Sequence, residues 1–190
     1  MLDVAVAFLA DEFNAYLLRR TGALTFGKML PGPLMDDAGK LAIAKGSVGL
    51  ALINIEEDRV SRAQLPERVL VNGREITLAP ELRLNLTLLA AADLSDYGMT
   101  LKALSQVMTF FQAHPVFTPG DYPGLDARID QLSVEMLSVG HETLNQIWAC
   151  LGAKYLPSVL YRVRVVVLQD REPEQVGAPI TSISLDVHEK

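Results

Sequence analysis

A chain of 190 residues, 49% of them apolar and 21% charged, is long enough for one well-buried core and too rich in apolar side chains for the disordered class. The formal charge is -6 and the 17 basic residues are scattered, which argues against nucleic acid as a partner. Apolar runs such as residues 86–92 fall far short of the roughly 20 residues of a membrane-spanning helix, so no membrane association is expected.

In chain order, Leu2, Ala5, Val6, Leu9, Phe13, Tyr16 and Leu17 recur at three- and four-residue steps, predicting an amphipathic helix over residues 2–20. Asp3 stands at its favourable start, Arg19 and Arg20 at its favourable end, and Gly22 is placed to stop it. Residues 23–40 hold glycines, prolines and Asp36-Asp37, a composition of strand fragments and turns. Short strands are expected at 24–29 and 41–45, with residues 30–40 a candidate contact loop. Residues 48–55 are apolar on both alternating faces, as in a central strand covered on both sides. Asn72-Gly73 between two alternating runs predicts a tight hairpin joining 68–71 and 75–78. Leu82, Leu84, Leu86 and Leu88 alternate with Arg83, Asn85 and Thr87 in a further strand.

Ser95 and Asp96 can cap a helix whose inward face is read as Tyr97, Leu101, Leu104, Met108 and Phe111, stopped by Pro115. A proline-stiffened loop follows to residue 126. Residues 129–168 then read as strand, helix, strand: Leu132, Val134 and Met136 alternate in the first, Leu144, Ile147, Trp148 and Leu151 form the inward stripe of the helix, and Tyr161, Val163, Val165 and Val167 alternate in the last. Beyond Gln169 a charged linker leads to a short alternating arm around Ile183, Leu185 and Val187. The fold class is therefore α/β (α+β): one domain over residues 1–168 with a mixed, mainly antiparallel sheet and about three helices, followed by an arm over 169–190.

The candidate chemistry is thin. The spacing from Gly22 to Gly27-Lys28 is that of a phosphate loop, but Met29 stands where a Ser or Thr should bind magnesium, and the segment follows a helix rather than a strand. His141-Glu142 lacks a second His one helical turn on, since position 145 is Asn145, and reads as a polar helix start. The lone Cys150, beside Trp148 and Leu151, reads as a small buried residue, and a single cysteine suits a reducing compartment. Glu56-Glu57-Asp58 reads as a solvated strand end rather than an acid–base pair. No cofactor, metal or catalytic residue is expected. The start of the chain, with Asp3, Asp11 and Glu12, does not look like a signal peptide, so synthesis in the cytoplasm is expected.

Phe110-Phe111-Gln112, Pro115-Val116-Phe117-Thr118-Pro119, Leu144-Asn145-Gln146-Ile147-Trp148, the run from Leu151 to Arg164, and Leu52-Ile53-Asn54-Ile55-Glu56-Glu57-Asp58-Arg59 resemble the tail-terminator, or cap, proteins of antifeeding-prophage-type contractile injection systems. The most specific part is Lys154-Tyr155-Leu156-Pro157-Ser158-Val159-Leu160-Tyr161. The resemblance implies a non-catalytic homohexameric ring that closes the far end of the inner tube and sheath of a released phage tail-like particle, with sheath and tube proteins as partners. It marks Asn54, Glu56, Glu57, Phe117, Tyr122, Lys154, Tyr155, Leu156, Pro157, Tyr161 and Arg162 as family-signature or interface residues. The alternatives are a baseplate or assembly adaptor of the same machine, a small hydrolase using His141, Glu142 or Cys150, and a nucleotide-binding protein acting through Lys28.

Overall fold

The computed structural model describes residues 2–22, 27–58, 67–71, 74–78, 82–168 and 175–176. The helices are α1 (Leu2–Thr21), α2 (Tyr97–Ala113) and α3 (His141–Cys150). The strands are β1 (Lys28–Pro31), β2 (Ser47–Glu57), β3 (Glu67–Val71), β4 (Arg74–Leu78), β5 (Leu82–Asp93), β6 (Val116–Phe117), β7 (Gln131–Leu137), β8 (Ser158–Leu168) and β9 (Gln175–Val176). Six of them form one sheet in the order β1-β2-β5-β8-β7-β6, and β3, β4 and β9 form a second. Only the β1–β2 pair is parallel; the other pairs of the large sheet are antiparallel.

Alternation along β5 divides the molecule. Leu84, Leu86, Leu88, Ala90 and Ala92 point to one face and pack with the stripes of α1 and α2, while Leu89 and Ala91 point to the other and pack with Trp148, Leu160, Leu34 and Ile43. The strand is thus buried on both sides over its second half, as alternate residues of a doubly covered strand must be. On α1 the expected Ala5, Val6, Leu9, Phe13 and Leu17 are buried, joined by Phe8 and Ala10. Asn14 sits among them: its Oδ1 accepts from the Met29 N–H at 2.8 Å and its Nδ2 donates to the Met29 carbonyl at 2.9 Å. One side chain thereby satisfies both backbone groups of an edge-strand residue and fixes β1 against α1. Gly22, with φ 71°, ends the helix in the left-handed conformation expected of it, its N–H bonded to the Leu18 carbonyl.

Asp96 caps α2 as predicted, accepting from the N–H groups of Gly98 and Met99. The helix, however, turns a different face inward. Thr100, Ala103, Leu104, Val107, Phe110 and Phe111 are buried, whereas Tyr97, Leu101 and Met108 stand 69%, 43% and 38% exposed. Three side chains fix this rotation. Phe110 is held edge-on against Phe13 and Phe111 rests on Tyr161, and the Thr100 hydroxyl bonds the backbone at Asp96 and Leu94. Small Ala103 then faces Gly27, where any side chain would meet the Ala103 Cβ at 3.1 Å.

Other expectations divide similarly. The hairpin is present as β3 and β4, with Asn72 and Gly73 themselves outside the described residues. The strand expected at 24–29 is β1, four residues from Lys28 to Pro31; residues 23–26 lie outside the described residues. Residues 41–45 are not a strand: a single bridge joins Leu41 to Met35, because Asp36 closes the loop on itself by accepting from Ala38 and Lys40 N–H groups. Leu34 and Ile43 anchor this loop to the sheet, approaching so closely that a side chain at Gly49 would meet both at 2.9 Å. The stretch 118–129 is organised as expected of a stiff loop: Thr118 bonds Asp121, and the Arg128 guanidinium 2.6 Å from Asp126 holds that carboxyl far below the usual range. Within the predicted linker, Gln175 and Val176 pair with β4, and the arm at 181–187 lies outside the described residues.

Asn14→Ala would strip two hydrogen bonds from Met29 and leave both its backbone groups buried. Urea unfolding should show a loss of about 2–3 kcal/mol. A loss below about 0.5 kcal/mol, the range of a neutral surface change, would mean the clamp is dispensable.

Candidate interaction surface

The second face of the large sheet is covered only in part. α3 and the loop through Leu34 and Ile43 lie over its apolar half, formed by Ala51, Leu89, Ala91 and Leu160. Over the other half the cross-strand register sets polar residues in two rows. One runs Asn54, Thr87, Arg162, Glu135, and the next Glu56, Asn85, Arg164, Ser133. Asn54 Nδ2 donates to Glu56 Oε1 at 2.9 Å, and Arg164 lies 3.8 Å from Asp58. Three of the signature residues, Asn54, Glu56 and Arg162, are thus brought together on one surface, while Glu57 is paired with Leu84 on the opposite face.

This arrangement depends on an irregularity in β2. The register with β5 shifts between Leu52 and Asn54, leaving Ile53 as an extra residue. Before the shift, Val48, Leu50 and Leu52 share the face of α1; after it, Ile55 and Glu57 do. The expectation of a strand covered on both sides over 48–55 therefore holds only as far as Ala51. Beyond that point Leu52 is 38% and Ile55 47% exposed, and β1 no longer runs alongside, its last pair being Pro31 with Leu50. A strand that is apolar on both faces has the same sequence signature whether a core or a partner covers it, and the mostly apolar run from Val48 to Ile55, interrupted by Asn54, was the available signal.

The second group of signature residues forms the corner between α3 and β8. Gly152, with φ 66°, closes the helix: its N–H bonds the Ala149 carbonyl and that of Ala153 bonds Trp148, the double closure of a Schellman turn. Lys154 and Tyr155 then stand exposed, with the Tyr155 ring edge-on to the buried Trp148 at 5.9 Å. Leu156 packs on the second core cluster, and the Pro157 carbonyl accepts from the Ala92 N–H before β8 begins. The inward stripe predicted for α3 is correct in direction, although only Trp148 is fully buried.

Two signature residues belong to the core. Phe117 is fully buried, its ring against Phe8, Phe110 and Tyr122, and Tyr161 lies beneath Phe111. Neither is available to a partner in this conformation. Tyr122 is partly buried at the rim of the same ring cluster, its hydroxyl 3.0 Å from His114 Nδ1. Met136, grouped with Leu132 and Val134, is instead 53% exposed near the end of β7.

The residues weighed for catalysis do not converge. Cys150 is exposed rather than buried, because two residues along a helix from the inward-facing Trp148 lies the opposite side. His141 is exposed at the first position of α3, after Gly140, which supplies no side-chain cap. Lys28 lies within β1, not in a loop opening a helix. Among the described residues there is no group of three or more His, Cys, Asp or Glu placed to hold a metal, and no helix long and apolar enough to cross a membrane.

Among the described residues, three helices on a six-stranded mixed sheet, with an open polar half-face and an exposed corner, define an α+β domain. The chain belongs to the family of the Pvc16 N-terminal domain, whose profile matches residues 6–182. Among solved structures it is similar to the PVC sheath/tube terminator of an extracellular contractile injection system in the extended state, with a TM-score of 0.63 at 16% identity, covering 96% of this chain and 63% of that one. It is also similar to the tube-terminating cap of the anti-feeding prophage, with a TM-score of 0.61 at 17% identity, covering 98% of this chain and 61% of that one. The chain thus spans about three-fifths of the length of these two proteins. No curated protein sequence matches it.

The Tyr161 hydroxyl is buried without a hydrogen-bond partner, and burial pushes its ionisation well above the ordinary tyrosine range. The phenolate is therefore favoured only in the unfolded chain. Through this group the stability is independent of pH below about pH 10 and falls as the pH rises beyond it, because the unfolded chain then gives up the proton while the folded one retains it. Tyr161→Phe should leave urea stability at neutral pH unchanged or slightly higher and lessen its decline above about pH 10. An identical alkaline decline in both proteins would show that Tyr161 does not contribute to it.

Proposed function

We propose that the chain is the structural core of a terminator: a subunit of a ring that closes the end of the tube and sheath in a contractile injection particle. The observation that carries this reading is the correspondence of nearly the whole chain, 96% and 98% of it, to the folds of a sheath/tube terminator and a tube-terminating cap. Membership of the Pvc16 N-terminal domain family supports it independently of the coordinates. The features of the surface agree. Its exposed specialisations are an open half-face with ordered polar rows, apolar residues left bare on β2, and an aromatic corner at Tyr155, all of which are contact features rather than a reaction centre.

In this reading the ring is a homohexamer, its subunits assemble in the cytoplasm, and the sheath and inner-tube proteins are its partners. Closed symmetry of this kind requires two different surfaces on each subunit, one for each neighbour. Residues 1–168 supply the body and 169–190 a strand-forming arm. The role is structural and not enzymatic.

Electron microscopy of particles carrying a gold-labelled tag on this chain tests the assignment. Label should appear at one end only, opposite the baseplate, with isolated protein forming sixfold rings. Label at the baseplate would transfer the chain to a baseplate or adaptor role, and label distributed along the shaft would overturn both.

A further inference from the structure

The rotation of α2 leaves an apolar flank uncovered. α1 lies over β1 and β2, and α2 over β5 and β8. Phe110 turns to Phe13 of α1 and Phe111 to Tyr161 of β8, so α2 has one flank against α1 and the other toward β7. On that second flank Tyr97, Leu101 and Met108 continue the buried arc, all within about 80° of Phe111 around the helix. All three are exposed, and so is Met136 on β7, the register partner of Tyr161. The helix is also almost without charge, Lys102 being its only charged residue. A helix whose outer side met nothing but water would carry charged residues there.

A second bare apolar surface lies at the opposite side of the same sheet face. There α1 and β2 enclose a cleft of about 470 Å³ lined by Leu2, Val6, Pro31, Pro33, Leu50 and Leu52. One cross-strand row, Leu52, Leu88, Tyr161 and Met136, runs between the two surfaces, its inner members buried and its ends exposed. α1 and the buried side of α2 stand between them, so one chain cannot bring them together, but successive copies can. Their shapes and charges are complementary. One is a convex helix flank and the other a cleft, and the single charged residue in each is of opposite sign: Lys102 on α2, and Asp3 at the cleft, which keeps its own bonds within the chain. We propose that the outer flank of α2 in one copy, with Leu101 and Met108 as the inserted side chains, packs into the α1–β2 cleft of the next copy. The two surfaces differ and lie on opposite flanks, so the contact repeats head to tail and can close a ring. This rests on the ring reading and deepens it by naming the two surfaces that join.

The test places photoreactive benzoylphenylalanine at Tyr97 of the full chain. Rings assembled from that chain and an isotopically labelled unmodified chain are irradiated, and the crosslinked peptides are read by mass spectrometry. Links from residue 97 to the peptides holding Leu2 to Val6 or Leu50 to Leu52 of the other chain are expected. Links to any other surface of the neighbour, or from residue 97 to residue 97, overturn this inference and leave the ring reading standing. Leu101→Glu and Met108→Glu, both exposed changes, and Leu52→Glu on the facing surface carry a carboxylate into an apolar contact. Each should raise the concentration at which rings assemble, followed by light scattering, by about tenfold or more. Thr109→Glu, exposed on the outward side of α2, should not. Assembly at an unaltered concentration in the first three counts against the proposal, as does an equal loss in Thr109→Glu. An unmodified chain that stays a single subunit at every concentration overturns both readings.

Discussion

Everything in this fold is arranged to cover β5 on both sides. Leu84, Leu86, Leu88, Ala90 and Ala92 require one apolar layer and Leu89 and Ala91 another, and no single element can supply both. α1 and α2 provide the first, held by the ring cluster of Phe13, Phe110 and Phe117. The second is provided by α3 and the loop through Leu34 and Ile43. At ten residues α3 is only about 15 Å long, so the rest of that face must be tolerable in water. The rows from Asn54 to Glu135 and from Glu56 to Ser133 are the result. The open polar half-face is thus the direct complement of a short covering helix.

Much of this was legible in the residues. The stripe of α1, the hairpin, the alternation of β5 and β8 and the stop at Gly22 each arise from short-range periodicity or from one conformational requirement, and these are encoded locally. The rotation of α2 was not, because two overlapping stripes at the same spacing share Leu104 and Phe111, and only the tertiary contacts of Phe110 and Thr100 choose between them. The exposure of Cys150 was missed because small residues are more often buried than not, a tendency that a helix position can override. Of the signature residues, Lys154 to Pro157 form the corner between α3 and β8. The burial of Phe117 and Tyr161 depends on rings far away in the chain, and the split of β2 into a covered and a bare half depends on where β1 ends.

The same facts bear on how such a subunit acts. Its polar side chains form ladders across strands and loop closures rather than a convergent group around a cavity. The exposed apolar residues stand at an edge and a corner, where neighbours in an assembly can reach them. Its similarity in fold to two terminators extends over almost the whole of this chain and about three-fifths of each of theirs.

The single extra residue at Ile53 carries more weight than its size suggests. It changes the phase of the pleat part-way along β2, so that one strand has even-numbered residues toward α1 in its first half and odd-numbered ones in its second. Drawing that residue into the ladder without deleting it would restore an unbroken alternation and exchange the two walls of the strand's outer half, turning Asn54 and Glu56 toward α1 and Ile55 toward the arginine rows. Deleting it would leave Asn54, Ile55 and Glu56 on their present faces, so the irregularity is what lets a strand one residue longer than its partner keep each side chain on its own wall.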